Sequence, residues 1–226
     1  GSSPALAVLE KGATLKGGGN ATGRRVALPL GTDGKLNWNY LNSHGRLLLQ
    51  RALQWGTGNT GNPAPKLLFV AASTTPSAQE QLRIDLIESW GYQVNVIDDN
   101  DSQANFDSAL TANDVAYIPS TVDSVVLGTK LRNAIIGVVN EDQDTIVNLG
   151  FSSNSSNTNS AAIDIVNNSH YITSAFSSGT LPILSSADRL VFPTGNPAPD
   201  VQNLAEIVIT GSNKATLGIL SSGDAL

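Results

Sequence analysis

The sequence predicts an α/β domain: a parallel sheet flanked by helices, continued by an antiparallel β extension. Two observations carry this. Between residues 66 and 140, short apolar runs alternate with amphipathic helical patterns, which is the signature of right-handed βαβ crossovers. After Asn140 the helical pattern fades and strand-like pieces recur at hairpin spacing. The chain of 226 residues is 40% hydrophobic, enough to bury a substantial core.

Residues 67 to 72, Leu-Leu-Phe-Val-Ala-Ala, read as a strand buried on both faces. Ser77 and Glu80 form a capping box for a helix that carries Leu82, Leu86 and Ile87 and stops at Gly91. Residues 92 to 97 make a second strand, and a short helix around Phe106 to Leu110 leads to a third at 115 to 118. A helix near Val126 to Ala134 precedes a fourth strand at 135 to 139. Residues 152 to 160, all Ser, Asn and Thr, read as a polar, low-complexity loop. Strand-like pieces follow at 181–184, 190–192, 205–209 and 216–220. At the other end, residues 25 to 30 form a strand, and Asn42 or Ser43 caps a helix through Leu48, Leu49, Leu53 and Trp55. The Gly/Asn/Pro stretch at 58 to 65 reads as a linker between a 1–57 segment and a 66–226 body, which together make one domain equivalent.

Composition narrows the function classes. A net charge of −6, with 13 scattered basic residues, argues against a nucleic-acid partner. With no Cys there is no disulfide, thiolate metal site or cysteine nucleophile. The lack of Cys and the Ser/Thr/Asn/Gly-rich surface point to a secreted or cell-surface bacterial protein. No run of 18 apolar residues is present to span a membrane. Gly1-Ser2-Ser3 and the lack of Met read as a segment excised from a longer chain.

The two ends resemble each other. ALAVLEKGATL at 5 to 15 aligns with TLGILSSGDAL at 216 to 226, every matched pair being 211 positions apart. Leu6, Leu9, Gly12 and Leu15 meet Leu217, Leu220, Gly223 and Leu226. This suggests one period of a tandem array, cut within the domain. Two strands would then compete for one place, and the fold would close either as a circular permutant or by strand swapping between neighbouring copies.

From residue 66 the chain resembles a glutamine-amidotransferase-like (flavodoxin-like, ThuA-related) domain of secreted bacterial multidomain proteins. The residues that carry the resemblance are 66 to 72, Gly91-Tyr92-Gln93-Val94 followed by Asp98-Asp99, and residues 168 to 179. Arg24-Arg25-Val26 and Ala52-Leu53-Gln54-Trp55-Gly56 match the family's closing motif, here at the start of the chain, which agrees with an out-of-phase cut. The resemblance implies a flavodoxin-like parallel sheet. An amidotransferase would need a nucleophilic Cys, and the chain has none.

Candidate sites gather where the parallel strands end, the edge at which open α/β folds bind ligands. Ser73, Thr74, Asp98, Asp99 and Ser120 are the ligand-binding candidates, with sugar or phosphate oxygens as partners, including a surface glycan. Asp99, Asp101, Asp142 and Asp144 are candidate ligands for a hard cation such as Ca²⁺. Against this, Ser77-x-x-Glu80 is explained as a helix cap, and neither acidic run has the Gly and terminal Glu of an EF-hand, so a solvated acidic rim is the competing reading. His44 and His170 are the only histidines, and no G-x-S-x-G elbow accompanies them, so both read as structural. Trp55 and Trp90 are assigned to the core, and Trp38-Asn39-Tyr40 to an exposed loop suited to sugar stacking. These readings converge on a non-catalytic structural or adhesive module, repeated in a surface protein and able to associate with copies of itself. The alternatives are a carbohydrate- or Ca²⁺-binding module and a degenerate amidotransferase-like hydrolase.

Overall fold

The computed structural model describes residues 3–31, 34–58 and 64–207. In chain order the strands and helices are β1 (Ser3–Leu9), β2 (Arg25–Ala27), α1 (Ser43–Gly56), β3 (Lys66–Ala71), α2 (Ala78–Glu88), β4 (Gln93–Asp98), α3 (Gln103–Thr111) and β5 (Val115–Ile118). Then come α4 (Ser124–Leu127), β6 (Gly137–Asn140), α5 (Thr145–Asn148), β7 (Ser152–Ser160), β8 (Ala162–Ile165), β9 (Gly179–Pro182), β10 (Asp188–Pro197) and β11 (Gln202–Ile207).

Among the described residues nine strands form one sheet in the order β4-β3-β5-β6-β2-β1-β11-β8-β9. The half from β4 to β2 is parallel, and from β2 to β9 each neighbouring pair is antiparallel. The expected antiparallel extension is therefore part of the same sheet. It joins the parallel half through the N-terminal strands, not directly through the strands that follow β6 in sequence.

Strands β3, β5 and β6 of the parallel half are buried on both faces because helices cover both. Leu67, Phe69 and Ala71 of β3 face one core with α1 and α2, while Leu68 and Val70 face a second core with α3, α4 and α5. That is why β3 reads as an unbroken apolar run. β1 does the same work further along, with Leu6 and Val8 in the first core, Ala7 and Leu9 in the second, and all four fully buried. A register shift between Pro4 and Ala7 marks a bulge, after which the two-residue alternation is regular.

Local chemistry sets the helix starts. The Ser77 hydroxyl accepts the Glu80 amide and Glu80 reaches back to the Ser77 amide, the capping box expected from the sequence. The Asn42 side chain accepts the His44 and Gly45 amides and so caps α1. At the far end of α1, the Arg24 guanidinium lies 4.8 Å from the Trp55 ring centre and donates to the Trp55 carbonyl at 2.8 Å.

Several expectations are corrected. Residues 152–160 are a strand, β7, paired antiparallel with β10 as a separate two-stranded unit. The pair's apolar burial comes from Leu190, Val191 and Phe192 on β10, so β7 itself carries no alternating signal. The expected strand at 190–192 is part of β10 and lies outside the main sheet. The helix expected over 126–134 ends at Leu127, where Gly128 takes a positive φ of 54°; turns carry Leu131 and Ala134 into the core. Trp38 is buried in a 3-10 turn (Trp38–Tyr40) at 5% exposure, so it is no exposed sugar platform. Trp55 is buried and Trp90 is half-buried against the core. The expected strand at 216–220, residues 208–209 and most of the 58–65 linker lie outside the described residues.

Phe69, fully buried on β3 between β4 and β5, tests this packing. Phe69→Ala is expected to cost about 3–5 kcal/mol in guanidinium denaturation. Val96→Ala on the edge strand β4, where Val96 is 40% exposed, is expected to cost less than about 1 kcal/mol.

Candidate functional site

Strand order reverses between β3 and β5: from β3 the chain crosses to β4 on one side, then returns to β5 on the other. A crevice at the carboxyl ends of these two strands is where an open α/β sheet receives a ligand. Here the crevice is occupied by the chain's own side chains.

Glu80, in the first turn of α2, is 1% exposed. Its Oε1 accepts the Ala72 amide (3.1 Å) and the Thr121 hydroxyl (2.8 Å), and its Oε2 accepts the Ser77 amide (2.7 Å). One carboxylate therefore joins the loop after β3, the loop after β5 and the helix N-terminus. Burial alone would raise its pKa, but the Ser77 and Ala72 amides and the Ser77 and Thr121 hydroxyls together hold it below the usual range.

One turn on, Arg83 forms a buried ion pair with Glu141 across the same edge. Its Nε and Nη2 each lie 3.0 Å from Glu141 Oε2, with side-chain exposures of 1% and 0%. Arg83 also donates to Ser120 Oγ (3.3 Å) and the Gln79 carbonyl (2.9 Å), and its guanidinium lies 4.2 Å from the Trp38 ring centre. Glu141 accepts in addition the Tyr117 hydroxyl and the Ser120 amide. Burial pushes the Glu141 pKa up, against the pull of Arg83. Gly31 closes over this network: a Cβ there would lie 2.4 Å from Ser120 Oγ.

The candidate ligand residues divide accordingly. Ser120 is fully buried and belongs to the Arg83 network. Ser73 and Thr74 are exposed, and Ser73 Oγ accepts the Thr75 amide. Asp98 accepts the Asn100 amide, and Asp101 accepts from the Asn105 side chain.

Beside the filled crevice lies a cavity of about 710 Å³ lined by Asp99, Asp123, Asp142 and Asp144 with Thr121, Val125 and Val126. The acids lining it are largely committed to the backbone. Asp99 accepts the Asp123 amide, Asp123 caps α4, and Asp142 accepts both the Thr145 amide (2.8 Å) and its hydroxyl (2.7 Å). Burial raises the Asp99 pKa, and it pushes that of Asp142 up to about 6. Among the described residues no three acidic or His side chains are placed to hold a metal ion. The expected set of Asp99, Asp101, Asp142 and Asp144 is thus not assembled as one cation cluster, and Asp101 does not line the cavity.

The histidines stand apart. His44 is exposed and its Nδ1 meets the Pro182 carbonyl at 3.1 Å. His170 packs edge-on to Trp55, its Nδ1 accepts the Ile172 amide, and burial lowers its pKa.

No family model, curated protein or solved structure matches the chain.

The Arg83–Glu141 pair, with Tyr117 and Trp38, was missed by sequence reasoning. The two charges are 58 residues apart, and the one available hint is a lone Arg in α2 one turn after the capping Glu. Two outcomes follow. Arg83→Met leaves Glu141 buried without its cation and is expected to lower stability by about 3–5 kcal/mol in urea. For Asp142, the folded chain holds the proton more tightly than the unfolded chain, so its stabilising contribution is largest in acid and is lost as pH rises through about 6. Asp142→Asn, which keeps the acceptor for Thr145, should flatten the urea midpoint between about pH 4 and about pH 7 relative to the unaltered chain.

Proposed function

We propose that the chain is a structural or adhesive repeat module of a secreted or cell-surface protein, built on a circularly permuted flavodoxin-like core. One observation carries the reading: the crevice where such a sheet takes a ligand is filled by the Glu80 carboxylate and the Arg83–Glu141 pair. A carboxylate held by two amides and a hydroxyl occupies the place an anionic or hydroxylated ligand would take.

The strand order supports the permuted core. Counted from β3, the parallel half runs second, first, third, fourth, the beginning of the flavodoxin-like 2-1-3-4-5 order. The fifth place is held by β2, which comes from the N-terminal segment. The similarity of residues 24–26 and 52–56 to the closing motif of glutamine-amidotransferase-like domains fits this placement. The absence of Cys from the sequence and the Ser/Asn/Thr composition of β7 favour an extracellular setting. Among the described residues no helix is long and apolar enough to cross a membrane.

A second reading, a Ca²⁺- or glycan-binding module, is favoured by the acidic cavity beside β5. Thermal melting with millimolar Ca²⁺, Mg²⁺, phosphate and soluble glycans separates the two. The structural reading expects shifts below about 1 °C for every addition. A ligand present at 100 times its Kd adds about 2.7 kcal/mol and would move the melt by several degrees. A shift of that size with Ca²⁺, lost in Asp99→Asn, would replace the structural reading with the second.

A further inference from the structure

The sheet ends differently on its two sides. β9 is a short edge of 4 residues and closes on Pro182, whose nitrogen has no hydrogen to give to a further strand. β4, at the other end, has 6 residues in unbroken parallel register with β3, from Lys66 opposite Gln93 to Ala71 opposite Asp98. It carries no Lys, Pro or bulge, the usual devices that blunt an edge. Among the described residues nothing pairs with its outer side. The Gln93 amide donates to the Pro65 carbonyl and the Asp99 amide to the Ala71 carbonyl, so the odd-numbered residues bond inward to β3. By the two-residue alternation of a strand, Val94, Val96 and Asp98 turn their amides and carbonyls outward.

The side chains beside this free ladder are apolar. Val94 packs on the first core, and Val96 shares its face by alternation. α2 covers that face, with Leu82 and Leu86 one helical turn apart and Trp90 just past the helix end. Leu86 and Trp90 are partly buried against the core, whereas Leu82 and Val96 are exposed.

Charge names the occupant. In the sequence Arg83 is the only cation between Lys66 and Lys130, and it is buried against Glu141. Asp85 and Glu88 on α2 and Asp107 on α3 are exposed, Asp98 ends β4, and Asp101 follows it. Among the described residues none of these acids forms an ion pair; Asp85 and Asp107 accept from the neutral amides of Gln81 and Gln103. A second copy meeting this edge through its own β4 would set like charges against each other. An extended segment that alternates apolar residues with Lys or Arg satisfies the ladder, the apolar strip and the charge together.

We propose that the outer edge of β4 is a docking site for a basic, extended segment of a partner protein, which joins the sheet as a further strand. The partner's apolar side chains cover Leu82, Val94 and Val96, and its Lys or Arg side chains meet the surrounding acids. The inference goes beyond the module reading and rests neither on it nor on the acidic cavity.

The probe is a short fluorescent peptide alternating Lys and Val, titrated against the full chain by fluorescence anisotropy beside a Glu/Val peptide of equal length. The Lys/Val peptide is expected to bind saturably and the Glu/Val peptide not to bind. With the Lys/Val peptide bound, exchange of the Val94 and Val96 amides is expected to slow, which contact through charge alone would not produce. Val96→Pro removes an outward amide, keeps the inward ladder to β3, and is expected to weaken binding at least about tenfold. A Lys/Val peptide N-methylated at every amide keeps its charge but cannot join the ladder, and is expected not to bind. It reads the same contrast if circular dichroism shows that Val96→Pro does not fold. Failure of the Lys/Val peptide to bind, unslowed exchange at Val94 and Val96, or equal binding of the N-methylated peptide would overturn the proposal. Dimerisation of the chain that Val96→Pro abolishes would overturn it too, because the edge would then belong to a second copy.

Discussion

The sheet is continuous because β1 stands between β2 and β11. Without a strand in that place the parallel half would end at β2, and the antiparallel half would begin at β11 with an open edge. Ala5 to Leu9 are fully buried and contribute to both cores, so the position carries hydrophobic burial on two faces as well as two ladders of hydrogen bonds. A segment from the extreme N-terminus thereby becomes the middle of the fold. Edge strands are the ordinary place for late or removable additions, and a central one must be present before either half is complete.

The carboxyl edge of the parallel half shows the same closure at the level of charge. Burying Arg83 and Glu141 is costly unless both are paired and their remaining hydrogen bonds are met; Ser120, Tyr117 and Gln79 meet them, and the Trp38 ring lies against the guanidinium. Glu80 takes the orphan amides that a bound anion would otherwise satisfy. An edge that elsewhere is kept open for a ligand is knitted here into the scaffold. It ties α2 to the loops after β3 and β5 and so fixes the point where the strand order reverses.

What could be read from the sequence follows from how local each signal is. The β3-α2-β4 unit was legible because its strand is apolar on both faces and its helix start is written within four residues, Ser77 to Glu80. β7 was not legible: a Ser/Asn/Thr strand whose apolar weight sits on its partner β10 has no pattern of its own. β8, four residues beside β9 and β11, is too short for periodicity to show. The candidate site was legible as an edge but not in its contents. Ser120, Asp98 and Asp99 were placed correctly at the strand ends, yet sequence spacing could not show that Ser120 is sealed beneath Arg83 or that Asp99 is spent on the Asp123 amide. Trp38 misled for the same reason, since it joins a core built from distant parts of the chain and lies against Arg83.

Native-state hydrogen exchange of β2 and β11 tests the central claim most directly, because β1 is paired with both. With β1 held between them, their ladder amides are expected to exchange only through global unfolding, as slowly as those of β3. Exchange in β2 and β11 as fast as in the edge strand β4 would contradict the account, since it would mean that the middle of the sheet opens while the rest stays folded.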